Sequence, residues 1–525
     1  MLRNKFTILA MGLTIAVLVP SCKKQLNQTP KYGLNAEVVY GDPSNYVNVL
    51  AKLYAGLSLT GNQGPAGQGD IAGIDEGFSA YVRVLWNLQE LPTDEAVCGW
   101  SDPGIPGLNK MQWNADDGWV KGMYYRVYYQ ITLCNEFIWQ ARDAKLDERG
   151  FSDADKQRIR QYRQEARFLR ALSYYHALDL FGNVPFVTEE DRVGAFMPDR
   201  ISRADLYNYI ETELKAIEND LMEASAAPYG RASKAAAQAL LAKLYLNAEV
   251  YTGTAHYADC RTYCEKIINS GAFQLDDAYQ DMFLADNNTS PEIIFPVVYD
   301  GLYSQTWGGT TFLINASIGG SMLASNYGVN GKWGGLRAKP QFVDKFPDTT
   351  QDSRYLFFTQ GQTKDISSLS TFSQGYAFPK FKNKTKAGMN GSNNATSAFV
   401  DTDFPMFRLA DVYLMLAESA YRTGDQGTAL QYINLVRERA YGNSNFNFSS
   451  LTLTNILDER SRELSWECTR RTDLIRFGLF TSGDYLWVFK GGDVAGAAVS
   501  SHLNLYPIPT ADLVLNTNLI QNPGY

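Results

Sequence analysis

FRLADVYLMLAESAYRTGDQGTALQYINLVRERA, from Phe407 to Ala440, combines two helical patterns in one stretch. In each half, small and apolar side chains recur at intervals of three and four residues, at Tyr413, Leu416, Ala417 and Ala420 and then at Ala429, Ile433 and Val436. This is the spacing of one helix face. The stretch therefore predicts a pair of helices that pack against each other through these faces.

The same stretch resembles a tetratricopeptide repeat. Ala417 and Ala429 are 12 positions apart, the separation at which that repeat places small residues where its two helices cross. Two less regular helix pairs precede it. The first comprises patterns over Asp153–Leu180 and from Leu206 to Leu221, and the second follows Ser233, a residue suited to cap a helix N-terminus. One clear repeat and two degenerate pairs predict a helical scaffold rather than a regular solenoid.

Between Pro296 and Pro405 the composition changes to Gly, Asn, Ser and Thr with little periodicity. A disordered linker has few aromatic residues, whereas this segment contains Trp307, Tyr327 and Trp333. We therefore expect ordered loops with short strands, and loops on a rigid scaffold are where binding sites usually lie. The predicted fold class is mainly α: a tetratricopeptide-like helix-pair scaffold whose long loop and short-strand insertions form a ligand-binding face.

The composition excludes some classes of partner. The chain of 525 residues has a formal net charge of −8 and a pI near 5.2, so it has no basic surplus for binding nucleic acid. Aromatic residues make up 13% of the chain, and with many Asn, Gln, Ser and Gly they suit flat, uncharged ligands that form hydrogen bonds. The sequence contains no GxSxG, HExxH or P-loop motif.

The N-terminus has the layout of a secretory signal. Arg3 and Lys5 precede a largely apolar run from Phe6 to Val19, which is too short to span a bilayer comfortably. The run ends at LVPSC, where a small residue stands directly before Cys22 as in a bacterial lipoprotein signal. An ordinary signal peptide that contains a cysteine is the alternative. We predict a signal peptide over 1–21, lipidation of Cys22, a polar tether over 22–36 and an anchored domain over 37–525.

ELPTDEAVCGWSDPGIPG, from Glu90 to Gly107, combines groups that suit either an enzyme or a binding loop. Asp94 and Glu95 are adjacent, so their side chains diverge, whereas a glycoside hydrolase needs two carboxylates facing each other across a sugar. Cys98 has no basic neighbour in sequence that would stabilise a thiolate. We therefore expect Thr93 to cap a short helix and the two acids to favour its N-terminal dipole, without a catalytic role.

Several stretches together resemble the SusD/RagB family of outer-membrane glycan-capture lipoproteins. They follow the family's order through nearly the whole chain: the lipoprotein signal, LQELPTDEA (88–96), EARFLRALSYYHALDLFGNVPF (165–186), GRASKAAAQALLAKLYLNAEVYTG (230–253), FRLADVYLMLAESAYRTGD (407–425), RRTDLIRFGLF (470–480) and YPIPTADLVLNTNLIQNPGY (506–525). The chain is thereby identified as a member of this family, with a loop-rich insertion over about 296–405 and a C-terminal family region over about 406–525.

The resemblance implies a function as well as a fold. It implies a protein that is lipid-anchored in the outer membrane, faces the cell exterior, binds a polysaccharide or oligosaccharide and hands it to a SusC-like TonB-dependent transporter. Because the sequence contains neither an acid pair nor a nucleophile–base pair, we expect binding without catalysis. A family member that captures peptides or glycoproteins is the main alternative, and a lipoprotein glycoside hydrolase is a further one.

The resemblance also implies the residues of a binding site. Trp100, Trp307 and Trp333 stand where the starch-binding member of the family has an arc of aromatic residues, and Arg83 matches a hydrogen-bonding arginine. Sugars present flat C–H faces that stack on such rings. For each tryptophan the alternative is a buried anchor of its own loop. Four other tryptophans lie in more regular stretches and are expected in the core, namely Trp86, Trp113, Trp119 and Trp139.

Two positions depart from the starch-binding member. Cys98 stands where that member has another tryptophan, and Pro103 comes near where a polar contact is expected. The resemblance therefore predicts a glycan ligand without specifying starch.

No cofactor and no metal is predicted. The segment Leu275–Glu292 has enough oxygen ligands to suggest calcium, but it lacks the spacing of a dedicated loop, so solvated acidic turns are expected instead. Cys260 and Cys264 are four apart and predict core packing on one helix face rather than a zinc site. A charged set near the C-terminus is expected to form structural ion pairs: Arg470, Arg471, Asp473 and Arg476.

Overall fold

The computed structural model of this chain describes residues 35–191, 196–392 and 397–525. The predicted signal peptide over 1–21, Cys22 and the predicted tether up to residue 34 lie outside these ranges. Within them, no helix is long and apolar enough to cross a bilayer.

The described residues are mainly helical, as the sequence predicts. The helices are α1 Ala36–Tyr40, α2 Asn45–Ser58, α3 Tyr81–Glu90, α4 Ile105–Asn109, α5 Gly118–Gln140, α6 Asp143–Glu148, α7 Asp153–Leu180, α8 Arg203–Ile217, α9 Lys234–Leu246, α10 Ala248–Thr252, α11 Tyr257–Asn269, α12 Gly309–Ser317, α13 Pro340–Val343, α14 Leu409–Arg422, α15 Gln426–Tyr441, α16 Leu453–Leu464, α17 Arg470–Arg476 and α18 Thr510–Leu515. The strands are β1 Ala96–Cys98, β2 Val184–Pro185, β3 Arg200–Ile201, β4 Ile293–Val297, β5 Leu336–Ala338 and β6 Phe404–Arg408. They form three antiparallel pairs, β1 with β5, β2 with β3 and β4 with β6.

Helices α14 and α15 form the predicted tetratricopeptide-like pair. Ala417 and Ala429 are both fully buried and belong to one apolar cluster. Because a methyl group is the whole side chain at both positions, the two helix backbones can approach closely. Ile456 and Leu464 of α16 belong to the same cluster and add a third helix to the pair.

The helix limits follow local sequence signals. Helix α7 has the predicted limits, and the Ser152 side chain caps it by accepting a hydrogen bond from the Asp155 backbone N–H. Ser233 caps α9 by accepting from the Ala236 N–H, which confirms the predicted cap. Helix α8 ends at Ile217, although the apolar pattern continues to Leu221, which is buried after a turn.

The insertion over about 296–405 contains more helix than expected. Its Gly/Thr-rich stretch forms α12, all nine residues of which are buried. Since Gly and Thr are poor helix formers, burial against the surrounding chain, not local propensity, accounts for this helix. Strand β5 from the same insertion pairs with β1, with Val97 opposite Arg337.

The prediction for Thr93 is wrong. No helix begins there, because α3 ends at Glu90 and the chain passes through a turn into β1. The Thr93 hydroxyl donates to the Glu90 carbonyl at 2.6 Å. Asp94 and Glu95 are structural, as expected, but they are stabilised by buried partners rather than by a helix dipole.

Arg470 is the main partner of Asp94. Its Nε and Nη2 donate to the two carboxylate oxygens of Asp94 at 2.7 and 2.9 Å, and the Tyr485 hydroxyl adds a third hydrogen bond at 2.7 Å. Glu95 accepts from the Ser461 hydroxyl at 2.6 Å. Both carboxylates are almost completely buried, so the helical C-terminal region holds the turn between α3 and β1.

The predicted C-terminal ion-pair set is confirmed. Arg471 pairs with Asp179, and Arg476 pairs with Glu418 and Asp473. The network continues into α16 through Arg460, which pairs with Asp473. On the same helix, Glu463 accepts from arginines of three separate segments, Arg354, Arg408 and Arg439.

Asp94→Asn tests the Arg470 pair. Removing one charge leaves the Arg470 guanidinium buried with its partner neutralised, and breaking a buried pair costs about 3–5 kcal/mol in the free energy of unfolding. The matched control is Asp143→Asn, since the Asp143–Arg160 pair has side chains 55% and 45% exposed and exposed pairs contribute about 0–1 kcal/mol. Urea unfolding of both variants measures the difference; equal losses would contradict the assignment.

The same pair predicts a pH dependence. Burial by itself raises the pKa of a carboxyl, but Arg470 and Lys345 hold the pKa of Asp94 well below its usual range. An unfolded Asp has a pKa of about 3.9, so the stabilisation is fully present above that pH and is lost as the pH falls towards the folded pKa. The stability difference between wild type and Asp94→Asn should therefore shrink below about pH 4.

Candidate functional site

Three of the predicted site residues, from segments far apart in sequence, come together in one row of rings. The ring centroids of Trp100 and Trp333 are 6.3 Å apart, and those of Trp333 and Trp307 are 6.0 Å apart. All three side chains are partly exposed. We call these three rings the aromatic arc. Its formation is the geometry that the resemblance implies.

Backbone hydrogen bonds place the rings. Trp100 lies two residues after β1, and the Gly99 N–H between them donates to the Gly335 carbonyl at 2.9 Å. The Trp333 N–H donates to the carbonyl of Asn315 on α12 at 2.9 Å. The Trp100 indole N–H then donates to the Trp333 carbonyl at 3.2 Å. The arc is therefore held by the β1–β5 pair and by α12.

Glycine is required where Trp100 meets the neighbouring loop. A Cβ atom on Gly335 would lie 2.6 Å from Nε1 of Trp100 and closer still to Cε2, which is far inside van der Waals contact. The loop backbone therefore lies flat against the indole, and the side chain of any other residue would displace the ring.

Arg83 lies beneath the arc instead of on its surface. It is only 9% exposed, and its Nη1 donates to the carbonyls of Gly77 and Trp307 at 2.9 and 3.1 Å. Its guanidinium carbon is 4.5 Å from the ring centroid of Phe312 and 5.8 Å from that of Trp100. Arg83 thus anchors the Trp307 loop, and its hydrogen bond to a ligand stays a prediction.

The electrostatics around Arg83 identify polar groups that sequence reasoning missed. Burial lowers the pKa of Arg83 to about 10, while the nearby carboxylates of Asp102 and Asp75 oppose that shift. Asp75 and Asp102 are both exposed. Exposed carboxylates near Arg83 can accept hydrogen bonds from ligand hydroxyls. Only their proximity to Arg83 indicates Asp75 and Asp102, and that proximity cannot be read from the sequence.

Phe399 packs against the Trp307 ring of the arc and is itself only 9% exposed, and this neighbour was also missed. Its ring centroid lies 4.6 Å from that of Trp307. It stands in a stretch rich in Asn, Ser and Thr with no pattern that points to packing, so no local signal indicated its place.

The two departures from the starch-binding member have structural consequences. Cys98 is buried in β1, and burial raises the pKa of its thiol to about 12. It is therefore a protonated core residue and contributes no ring to the arc. Pro103 is exposed and contributes only its carbonyl, which accepts from the Trp119 indole N–H at 2.9 Å.

One of the four tryptophans expected in the core is placed differently. Trp86, Trp113 and Trp119 are buried, as expected. Trp139 is partly exposed and lines a cavity, so the prediction that it belongs to the core is wrong. Periodicity could not distinguish the two outcomes, because the outer face of a helix next to a loop has the same spacing as a core face.

Within the described ranges, no group of three or more His, Cys, Asp and Glu side chains is arranged to hold a metal ion. Two carboxylates of the segment suggested for calcium, Asp276 and Asp281, lie near Lys386. Cys260 and Cys264 are buried in α11, which fits core packing.

The chain is similar in sequence to known proteins. The chain matches the family model described as "SusD family" over residues 331–525 and the one described as "Starch-binding associating with outer membrane" over residues 105–246. It is 35% identical to the starch-binding protein SusD of Bacteroides thetaiotaomicron, over 97% of each chain. It is 26% identical to the SusD-like protein P25 of Formosa agariphila, over 96% of this chain and 97% of that one.

Solved structures are similar in fold. The surface glycan-binding protein A from Bacteroides fluxus matches with a TM-score of 0.70 at 22% identity, over 92% of this chain and 99% of that one. A SusD superfamily protein from Parabacteroides distasonis matches with a TM-score of 0.70 at 21% identity, over 94% and 100%.

Gly335→Ala tests the assembly of the arc. The added methyl group should push the Trp100 indole away from Trp333 and change the near-UV circular dichroism of the tryptophans. The matched control is Gly331→Ala in the same loop, where the nearest atom, Nε1 of Trp333, is 3.8 Å from the new Cβ atom, an ordinary contact. Wild-type spectra for both variants would show that Trp100 does not lie against Gly335.

Proposed function

The chain belongs to the SusD family, and on that premise we propose that it is a non-catalytic surface protein that binds a polysaccharide or oligosaccharide and delivers it to a SusC-like TonB-dependent outer-membrane transporter. The glycan lies along the aromatic arc of Trp100, Trp333 and Trp307. The observation that carries the proposal is the arc itself, a row of partly exposed indoles built from two loops about 200 residues apart in sequence.

The arc suits a flat ligand with apolar faces and polar edges. Sugar rings present C–H faces that stack on indoles, while their hydroxyls point sideways towards hydrogen-bonding groups. Asp75 and Asp102 supply acceptors near Arg83. Stacked aromatic contacts contribute about 0.5–1.5 kcal/mol each, so several rings together give modest affinity.

The absence of turnover is supported by the inaccessibility of the candidate catalytic groups. Asp94 and Glu95 are buried and bonded to Arg470 and Ser461. His176 is buried against the Tyr81 hydroxyl, and burial lowers its pKa to about 4, so it is neutral and inaccessible. A hydrolase needs such groups in contact with its substrate.

The membrane part of the proposal rests on the N-terminal signal and on the family. Cys22 carries the lipid, and the protein lies in the outer membrane with its domain on the cell exterior. One matching family model is described as associating with the outer membrane.

Retention on affinity gels tests the binding role. The protein without residues 1–22 should be slowed by one or more polysaccharides in a panel that begins with soluble starch. Trp100→Ala should weaken that retention several-fold, because one ring contributes about 1 kcal/mol, and the variant lacking all three indoles should lose it. Melting temperatures should change little, since the rings are partly exposed.

Three outcomes would contradict this role. If Trp100→Ala melts at a much lower temperature and binds normally, Trp100 is a loop anchor. If the panel retains nothing while glycopeptides are retained, the peptide or glycoprotein alternative is correct. The retained polymer should release no reducing ends on incubation with the protein, and release would indicate a hydrolase.

Affinity purification from gently solubilised outer membranes tests the partner. The tagged protein should recover a TonB-dependent barrel protein in near-equal amount. The control is Cys22→Ala, which should leave the outer-membrane fraction and recover no barrel. Recovery of the wild-type protein alone in several mild detergents would refute the proposed delivery.

A further inference from the structure

The nine tryptophans of this chain fall into three groups. Five are buried, and three form the aromatic arc. The ninth, Trp139, is partly exposed near the C-terminal end of α5. A partly exposed indole outside the established row suggests a second place where a ring meets a ligand.

Trp139 lines a cavity of about 450 Å³, which lies within the ~300–1,000 Å³ range of small-molecule sites. One wall is a single face of α5, on which Thr132, Asn135, Glu136 and Trp139 follow the spacing of three and four residues. The other wall is the segment from Val187 to Asp191, together with Phe196 and Pro198. We call this cavity the Trp139 pocket.

Arginines hold the two walls together. The Arg142 guanidinium carbon lies 4.0 Å from the ring centroid of Trp139, and the same guanidinium is paired with Glu190. Arg170 is paired with Glu189 and donates to the amide oxygen of Asn135 at 2.7 Å. The indole and the carboxylates are therefore oriented before any ligand binds, which lowers the entropy cost of binding.

The charges select the ligand. Among the described residues, four carboxylates line the pocket, those of Glu136, Glu189, Glu190 and Asp191, of which Glu189 is paired with Arg170 and Glu190 with Arg142. The surplus among these described groups is negative, because Glu136 and Asp191 have no arginine partner, so these groups would repel a uronate or sulfate. Carboxylate oxygens accept several hydrogen bonds each, and the neighbouring indole offers a flat apolar face. Hydroxyl donors beside a C–H face are the features of a neutral sugar.

We propose that the Trp139 pocket is a second binding site for neutral sugar residues, separate from the aromatic arc. This inference rests on the proposed glycan binding and extends it from one contact to two. The sugar stacks against Trp139 and donates its hydroxyls to Glu136 and to the carboxylates of the 187–191 segment.

Helix α5 sets the distance between the two sites. Trp119, near its first turn, lies beside Arg83 at the arc, with the guanidinium carbon 5.5 Å from the indole centroid. Trp139 is 20 residues further along the same helix, which is about 30 Å at 1.5 Å per residue. A long polysaccharide can therefore contact both sites at once, and the second contact becomes intramolecular and strengthens overall binding.

Titration calorimetry with a heptasaccharide separates the two sites. The probe is maltoheptaose, replaced by the corresponding heptasaccharide if the gel panel retains another polymer. Wild type should bind at two sites per chain, Trp139→Ala at one, and the variant lacking the three arc indoles at one. On polymer gels, Trp139→Ala should lower retention several-fold. The control is Leu486→Ala, which changes an apolar side chain that is 38% exposed and lies outside both sites.

Glu136→Ala keeps the test decisive if Trp139→Ala unfolds. Glu136 is exposed and bonds to Gln140 on its own helix, so its removal should weaken binding at the pocket and leave the melting temperature unchanged. A single site in wild type that is lost in the arc variant would refute the second site and leave the proposed function intact. If Trp139→Ala and the variant lacking the three arc indoles both keep all of the wild-type binding, the second site and the proposed function are both refuted.

Discussion

The hydrogen-bonded ion pair between Arg470 and Asp94 joins positions 376 residues apart, and the arrangement of the binding face depends on it. Two buried charges lose their hydration, so the pair is favourable only when further partners satisfy both groups. Tyr485 and Lys345 complete the carboxylate side, and the Leu457 carbonyl accepts from Arg470. Any competing packing would leave one of these charges unpaired, and we interpret the pair as a device for specifying one arrangement.

The position of the arc follows from this pair because Asp94, β1 and Trp100 are only a few residues apart along the chain. Asp94 lies two residues before β1, and Trp100 lies two residues after it. Strand β1 pairs with β5, which brings in Gly335 and Trp333 from the insertion. The helical scaffold thus fixes a turn, the turn fixes a strand pair, and the strand pair fixes two rings. Loops placed in this way can carry partly exposed indoles without losing their geometry.

Local patterns predicted what depends on neighbours in sequence. The limits of α7, the cap at Ser233 and the close approach at Ala417 and Ala429 all follow from residues within a few turns of each other. The prediction that the three indoles lie together came from the family resemblance, not from local patterns. Patterns failed where distant partners decide. Asp94 is held by Arg470 rather than by a helix cap, and α12 forms in a Gly/Thr-rich stretch because it is buried. Trp139 lines a cavity with the 187–191 segment and is therefore only partly buried. None of these partners can be identified from a window of sequence.

The burial of Arg83 fits a site that must also release its ligand. A guanidinium on the surface would make charge-assisted hydrogen bonds, which are about twice as strong as neutral ones. Here the Arg83 Nη1 donates to two backbone carbonyls, so its hydrogen bonds stabilise the Trp307 loop. In the proposed binding mode the ligand instead meets rings that are already in place and that each contribute about 1 kcal/mol. The affinity is then the sum of several weak contacts. Because these contacts can be broken one at a time, a glycan can dissociate without a single large energy barrier.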